Sequence, residues 1–318
     1  MKLRRHWLSV LVLCLSVSTY AQAPKTKAAK LGARMPETVV FEQDIVYGRA
    51  GERELHLDMV RPKEAASKPL PVVAFIHGGG WRNGSKQSGI ANITPLVATG
   101  NYLGVSIEYR LTGEAIWPAQ INDCKAAIRW LRANATQYKI DPDHIGVWGN
   151  SAGGHLVSLL GTSGEVAALE GDNGSIGYSS RVNCVVDYCG PSDFLALMKS
   201  PRAEAADSSV ALLLGGPLDE KQELAKQASP VTYVSADDPP FLIVHGTKDP
   251  LVPMAQAETL AEALKQAGVP VTFVVMEGGG HGIRGPEITA RVHSFFEKNL
   301  RGQSVDVSAD PIVVAESD

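Results

Sequence analysis

The chain is poor in the features that mark several protein classes. Charged residues make up only 20% of it, the formal net charge is −4, and the pI is near 6.1. No block of lysines and arginines occurs, so the basic footprint that nucleic acid requires is missing. There are only four cysteines, and no pair has the spacing of a metal site. No Gly-x-x-x-x-Gly-Lys-Ser/Thr stretch is present to cradle a nucleotide phosphate, and there is no internal repeat. What is left, 318 residues of which 44% are hydrophobic, is globular composition, enough for one large α/β domain or two small ones.

The first 23 residues are different in kind. Lys2, Arg4 and Arg5 precede an apolar stretch from Trp7 to Val17, too short to span a bilayer, and Ala21-Gln22-Ala23 gives a small-x-small end. This predicts a signal peptide over residues 1–23, cleaved after Ala23, and an exported protein, periplasmic or extracellular, with no stable membrane association. Cleavage removes Lys2, Arg4 and Arg5 and so takes the net charge from −4 to −7. Of the remaining cysteines, Cys124 falls on a helical stripe with Ala127, Ile128 and Leu131, which predicts a core position. Cys184 and Cys189 are five apart and would face opposite ways along a continuous strand. Free, mostly buried thiols are expected.

Residues 24–37 are a Lys/Ala-rich lead expected to be mobile. A domain over 38–301 follows, and 302–318 lack periodicity and read as a loose tail. Val39–Tyr47 and Glu52–Val60 flank a turn, with Leu55, Leu57 and Met59 alternating, as in a hairpin with one solvated face. Strands are predicted at 71–76, 102–109, 144–148, 182–188, 241–244 and 271–276. Helices are predicted at 88–98, 118–137, 155–160, 254–266 and 287–300. Residues 192–235 break the alternation with short apolar segments and read as a small helical cap insertion. The pattern is α/β: a mostly parallel sheet with helices on both faces, whose functional groups gather beyond the strand C-termini.

Three such ends carry chemistry. Trp148-Gly149-Asn150-Ser151-Ala152-Gly153-Gly154 places one serine between glycines, after a strand and before a helix. A serine on so sharp a turn needs small neighbours, and the turn sets its hydroxyl near a helix N-terminus. A serine needs a base, and the base needs an orienting acid. Asp249 lies a few residues past the strand at 241–244, and His281 lies in a glycine loop past the last strand. Asp237 and Asp238 are rivals for the acid but precede their strand. His245 reads as a packed strand terminus and His155 as structural. The order Ser151, Asp249, His281 is that of α/β-hydrolases. Gly78-Gly79-Gly80 follow another strand, and their N–H groups, with that of Ala152, are candidates for an oxyanion hole.

Taken together, His77-Gly78-Gly79-Gly80-Trp81, Gly149-Asn150-Ser151-Ala152-Gly153-Gly154, His245-Gly246-Thr247-Lys248-Asp249-Pro250 and Gly280-His281-Gly282 resemble secreted α/β-hydrolase esterases. The chain is most similar to the bifunctional feruloyl and acetyl xylan esterases, relatives of the hormone-sensitive-lipase-like carboxylesterases. The resemblance covers about residues 40–300. It implies the α/β-hydrolase fold, Ser151 as nucleophile, His281 as base and then acid, and Asp249 as orienting acid. It also implies Gly79 and Gly80 beside Ala152 at the oxyanion, a bracing role for His77, and Trp81 either lining the pocket or packing beneath it.

The expected function is a secreted serine carboxylic ester hydrolase on short-acyl or hydroxycinnamoyl esters of plant or algal polysaccharide, with no cofactor and no metal. The partner is an ester substrate, with nucleic acid excluded and the oligomeric state open. The alternatives are a general small-ester carboxylesterase or arylesterase, a serine peptidase of the same fold, and a binding protein that kept the fold without the chemistry.

Overall fold

A computed structural model describes residues 35–64, 66–164, 166–197 and 208–314. The predicted signal peptide, most of the lead, and residues 198–207 of the cap insertion lie outside the described residues. From Pro36 onward the chain forms one compact unit.

Nine strands among the described residues build one sheet. They are β1 (Val39–Ala50), β2 (Arg53–Pro62), β3 (Leu70–Ile76), β4 (Leu103–Ile107), β5 (Ile140–Asn150), β6 (Cys184–Tyr188), β7 (Phe241–Gly246), β8 (Val271–Glu277) and β9 (Ile312–Val313). Their order is β1-β2-β4-β3-β5-β6-β7-β8-β9. β1, β2 and β4 pair antiparallel, and every pair from β4–β3 to β8–β9 is parallel. The sequence explains this division. β4, β6 and β7 are buried at every residue and apolar but for Ser106, Asp187 and His245, as strands covered on both faces tend to be. β1 buries only scattered positions.

Among the described residues, five helices of eight or more residues cover the sheet: α1 (Ile90–Val97), α2 (Ala119–Ala133), α3 (Ala152–Thr162), α4 (Ala255–Gln266) and α5 (Pro286–Arg301). Successive strand residues alternate faces. Ala74, Ile76 and Val147 join Ile121, Ile128, Leu156, Leu160 and Leu260 in the main core, which places α2, α3 and α4 on one face. Phe75 and Trp148 meet edge to face on the other, where Trp148 also touches Phe296 of α5 and Gly104 lies against Val97 and Ile93 of α1.

The structure departs from the sequence expectation at the second long helix and at the tail. The helix expected over 118–137 breaks at Asn134, whose amide donates to Trp130 O (2.9 Å), and a short turn, Ala135–Tyr138, follows. The cap's described parts are the short helices Phe194–Leu197, Ser209–Leu214 and Gln222–Gln227 and a 3-10 turn, Pro230–Tyr233. The expected loose tail instead ends in β9, with Ile312 opposite Met276 and Val313 opposite Glu277. Backbone pairing at a sheet edge, not side-chain pattern, holds it, which is why two residues gave no period to read. No helix among the described residues is long and apolar enough to cross a membrane.

Candidate active site

β5 ends at Asn150 and α3 starts at Ala152, so Ser151 alone makes the turn between them. It does so at φ 55°, ψ −121°, a left-handed conformation that costs a non-glycine residue on the order of 1–3 kcal/mol. Its neighbours hold it there. Ser151 N donates to Tyr188 O (2.7 Å), and Ser151 O accepts from His155 N (3.0 Å). The glycines leave the room this requires. A Cβ at 149 would collide with Gly153 O, and one at 153 with Ile76 O on the adjacent β3.

The candidate oxyanion loop follows β3, the strand next to β5. Gly79, Gly80 and Trp81 are all at positive φ (115°, 60° and 56°), and Gly79 O accepts from Asn83 N (3.0 Å), closing a tight turn. Gly78 N donates to Asn150 Oδ1 (3.2 Å), tying the loop to the serine turn. His77 braces it from below. Its Nδ1 donates to Gly78 O (2.8 Å), its ring stacks on Tyr109 at 4.4 Å, and Tyr109 OH donates to His77 O (3.0 Å). Trp81 lies against the cavity but is 3% exposed, and its indole N–H donates to His155 Nδ1 (3.1 Å). His155 Nε2 in turn donates to Ala228 O (2.7 Å) in the cap. Burial pushes the His155 imidazole down to about 4, so it stays neutral, as a ring that both accepts and donates must be. Trp81 thus does both things considered for it: it lines the pocket and packs.

β7 and β8 deliver the other two groups. Asp249 Oδ2 accepts from His281 Nδ1 at 2.7 Å, and Oδ1 accepts from Leu251 N (2.8 Å) and Val252 N (3.0 Å). Burial opposes ionisation of this carboxyl. Hydrogen bonds from His245, His281 and the two backbone N–H groups outweigh it and hold Asp249 well below the usual carboxylate range. Asp237 and Asp238 lie at the opposite end of β7, where Asp237 pairs with Arg181 and both bond Ser235.

Ser151, Ala152, Gly79, Gly80, Trp81 and His281 line one cavity of about 650 Å³, with walls from Leu197 and Val210 of the cap and Val252 of the acid loop. The structure therefore brings the candidate nucleophile, base and oxyanion donors to one cavity and bonds the acid to the base. Such an arrangement can carry acyl transfer: attack by an oxygen, proton relay through an imidazole, and fixed donors where negative charge develops.

Sequence reasoning set His245 aside. It is fully buried, with Nε2 2.9 Å from Val252 O and 3.3 Å from Asp249 Oδ2. Cys189, His245 and Asp249 bring potential metal-ligating atoms within 4.8 Å of one another, and His245 Nε2 and both Asp249 oxygens are engaged in the bonds just given. Asp187, beneath them, accepts from Ser158 Oγ and Gly190 N (2.9 Å each), and burial pushes it up to about 6. The signal for His245 was present: it stands four residues before Asp249, and a strand end leading into a tight turn folds such a pair together. Cys124, Cys184 and Cys189 are free and buried.

The BD-FAE family profile matches residues 57–264. The esterase LipC of Mycobacterium tuberculosis is 32% identical over 262 residues, which cover 82% of this chain and 64% of LipC. The chain thus spans just under two thirds of that relative's own length. A truncated carbohydrate esterase from gut microbiota superposes with a TM-score of 0.76 at 33% identity, over 82% of this chain and 96% of that one. An acetyl ester-xyloside bifunctional hydrolase from Caldicellulosiruptor lactoaceticus gives a TM-score of 0.67 at 26% identity, over 83% of this chain and 97% of that one.

Proposed function

The chain belongs to the BD-FAE family and has an α/β-hydrolase fold, and from that premise we propose that it is a serine carboxylic ester hydrolase working through an acyl-enzyme. One observation carries this reading. Ser151, strained on its turn, shares a cavity with His281, whose far nitrogen is fixed 2.7 Å from a carboxylate held ionised.

In the proposed reaction Ser151 Oγ attacks the ester carbonyl as His281 Nε2 takes its proton. The carbonyl oxygen becomes negative against the N–H groups of Gly79, Gly80 and Ala152. Each well-aimed donor of this kind is worth about 3–4 kcal/mol of barrier. The tetrahedral centre collapses, the C–O bond to the alcohol breaks, and His281 returns the proton to the leaving oxygen. Water then attacks the acyl-enzyme by the same route and frees the acid. Asp249 keeps the proton of His281 on Nδ1 throughout.

The proposed substrates are short-acyl or hydroxycinnamoyl esters of plant or algal polysaccharide. The likeness to a carbohydrate esterase and to an acetyl ester-xyloside hydrolase supports that choice over general small esters. The cap's described helices are short, which suits a small acyl group. Export after cleavage at Ala23 is part of the proposal, and N-terminal sequencing of the protein recovered outside the cytoplasm tests it. Ser151→Ala is expected to abolish turnover of p-nitrophenyl acetate while the circular dichroism stays that of the parent. Retained turnover would refute the assignment. Acetylated xylan, methyl ferulate and peptide amides, run side by side, separate the polysaccharide, arylester and peptidase readings.

A further inference from the structure

A second cavity, of about 430 Å³, adjoins the first, and His281, Gly79 and Asn150 line both. Ser151 and Ala152 line only the first. The second is built differently. Phe75, Trp148 and Tyr188, all buried, make an aromatic floor, and Asn92, Asn150 and Arg284 bring polar groups to its rim.

The charges around these cavities are one-sided. Neither cavity is lined by an aspartate or glutamate, yet each carries an exposed arginine, Arg82 in the first and Arg284 in the second. Every other arginine among the described residues donates a side-chain hydrogen bond to a carboxylate or a carbonyl. Arg82 and Arg284 have no side-chain partner among the described residues. In a chain with a net charge of −4, the two guanidinium groups left without a partner among the described residues are the two at the candidate site. A guanidinium is a rigid fork that matches a carboxylate, and its field raises the local concentration of anions.

We propose that the second cavity receives the alcohol portion of the ester, that this alcohol is a saccharide bearing a free carboxylate, and that Arg284 recognises the carboxylate. The inference rests on the ester-hydrolase reading and names its substrate class. The partition follows from the chemistry. The acyl carbon must lie against Ser151 and Ala152, which belong to the first cavity. The leaving oxygen must lie against the imidazole that protonates it, and the second cavity opens from that imidazole. A sugar ring has apolar C–H faces and polar edges, which an aromatic floor with an amide rim matches. A uronate adds the negative charge that the unpartnered guanidinium is placed to meet.

The test uses two acetyl esters of one phenol, 4-acetoxybenzoate and its neutral methyl ester, and acetylated xylo-oligosaccharides with and without a uronate branch. The readout is the ratio of kcat/KM for the anionic over the neutral member of each pair. Arg284→Gln is expected to lower that ratio about threefold to fivefold, the size of an exposed charge contact. The loss should fall on KM, and Arg284→Lys should recover part of it. Raising salt should erode the parent's ratio toward that of Arg284→Gln. Arg49→Gln removes one positive charge from the first hairpin, away from both cavities, and is expected to leave the ratio alone. A ratio unmoved by Arg284→Gln, or moved equally by Arg49→Gln, overturns the proposal. Failure of the ester-hydrolase reading looks different: the neutral esters would then show no turnover that depends on Ser151.

Discussion

His245 Nε2 faces a carbonyl oxygen and a carboxylate oxygen, both acceptors, so it must carry a hydrogen and donate it. Losing that donor leaves Val252 O and Asp249 Oδ2 each short of a partner in a buried site. A hydrogen bond to a charged group is worth about 1.5–3 kcal/mol. His245→Leu is therefore expected to lower kcat by about tenfold or more with little change in KM, and His245→Gln, which keeps a donor, to recover part of it. Steady-state kinetics on p-nitrophenyl acetate check both. His155 makes a prediction about stability instead. Its folded pKa, about 4, lies below its unfolded value of 6.5, so the stability that comes from keeping it neutral is complete above pH 6.5. That stability drains away as pH falls through the window toward 4. The unfolding free energy of the parent, read by urea denaturation, should thus fall more between pH 7 and pH 4.5 than that of His155→Gln, by about 2–3 kcal/mol. At this scale the sequence was informative where a residue type is tied to a local pattern. Ser151, Asp249 and His281 each follow a strand and sit among turn residues. Asp187 and Arg284 were not legible, because their roles depend on which neighbour the fold brings up or withholds, and His245 was legible only as a partner of Asp249 four residues on, a signal that its place at a strand end masked.

At the scale of elements, the serine turn is legible because its steric demands are written in glycine. Gly153→Ala drives a methyl group into Ile76 O on β3, and β3 is central and has little room to yield. A loss of about 3 kcal/mol or more is expected, read by urea denaturation, and an unchanged midpoint would contradict the packing described. The buried parallel strands were legible for the reason that makes them buried, their predominantly apolar runs. The ninth strand was not, since its two residues carry no pattern and its partner is 36 residues away in the chain. Arg291 Nη1 donates to Ser308 O (3.1 Å) and to Asp310 O, pinning the approach to that strand. Truncation after Gln303 should uncover the β8 edge, lower the melting temperature by about 2–4 °C for each kcal/mol lost, and raise light scattering on heating.

Over the whole molecule, the three cysteines of the described residues report on the integrity of the sheet and its helices. Cys124 is on α2, Cys184 opens β6 and Cys189 follows β6, and burial pushes all three thiols up. They should resist a thiol reagent in the folded protein and react together in denaturant, and piecemeal labelling would mean the layers open separately. The link from Trp81 through His155 to Ala228 has a further consequence at this scale. It joins the loop that would grip the oxyanion to the segment roofing the pocket, through a helix that starts at the nucleophile. A shift of the cap at Ala228 would therefore pull, through His155, on the Trp81 end of that loop. Under the proposed reaction, displacement of the cap at Ala228 and the aim of the Gly79 and Gly80 N–H groups would then be coupled, so a bulky reactant that pushes on the one would disturb the other.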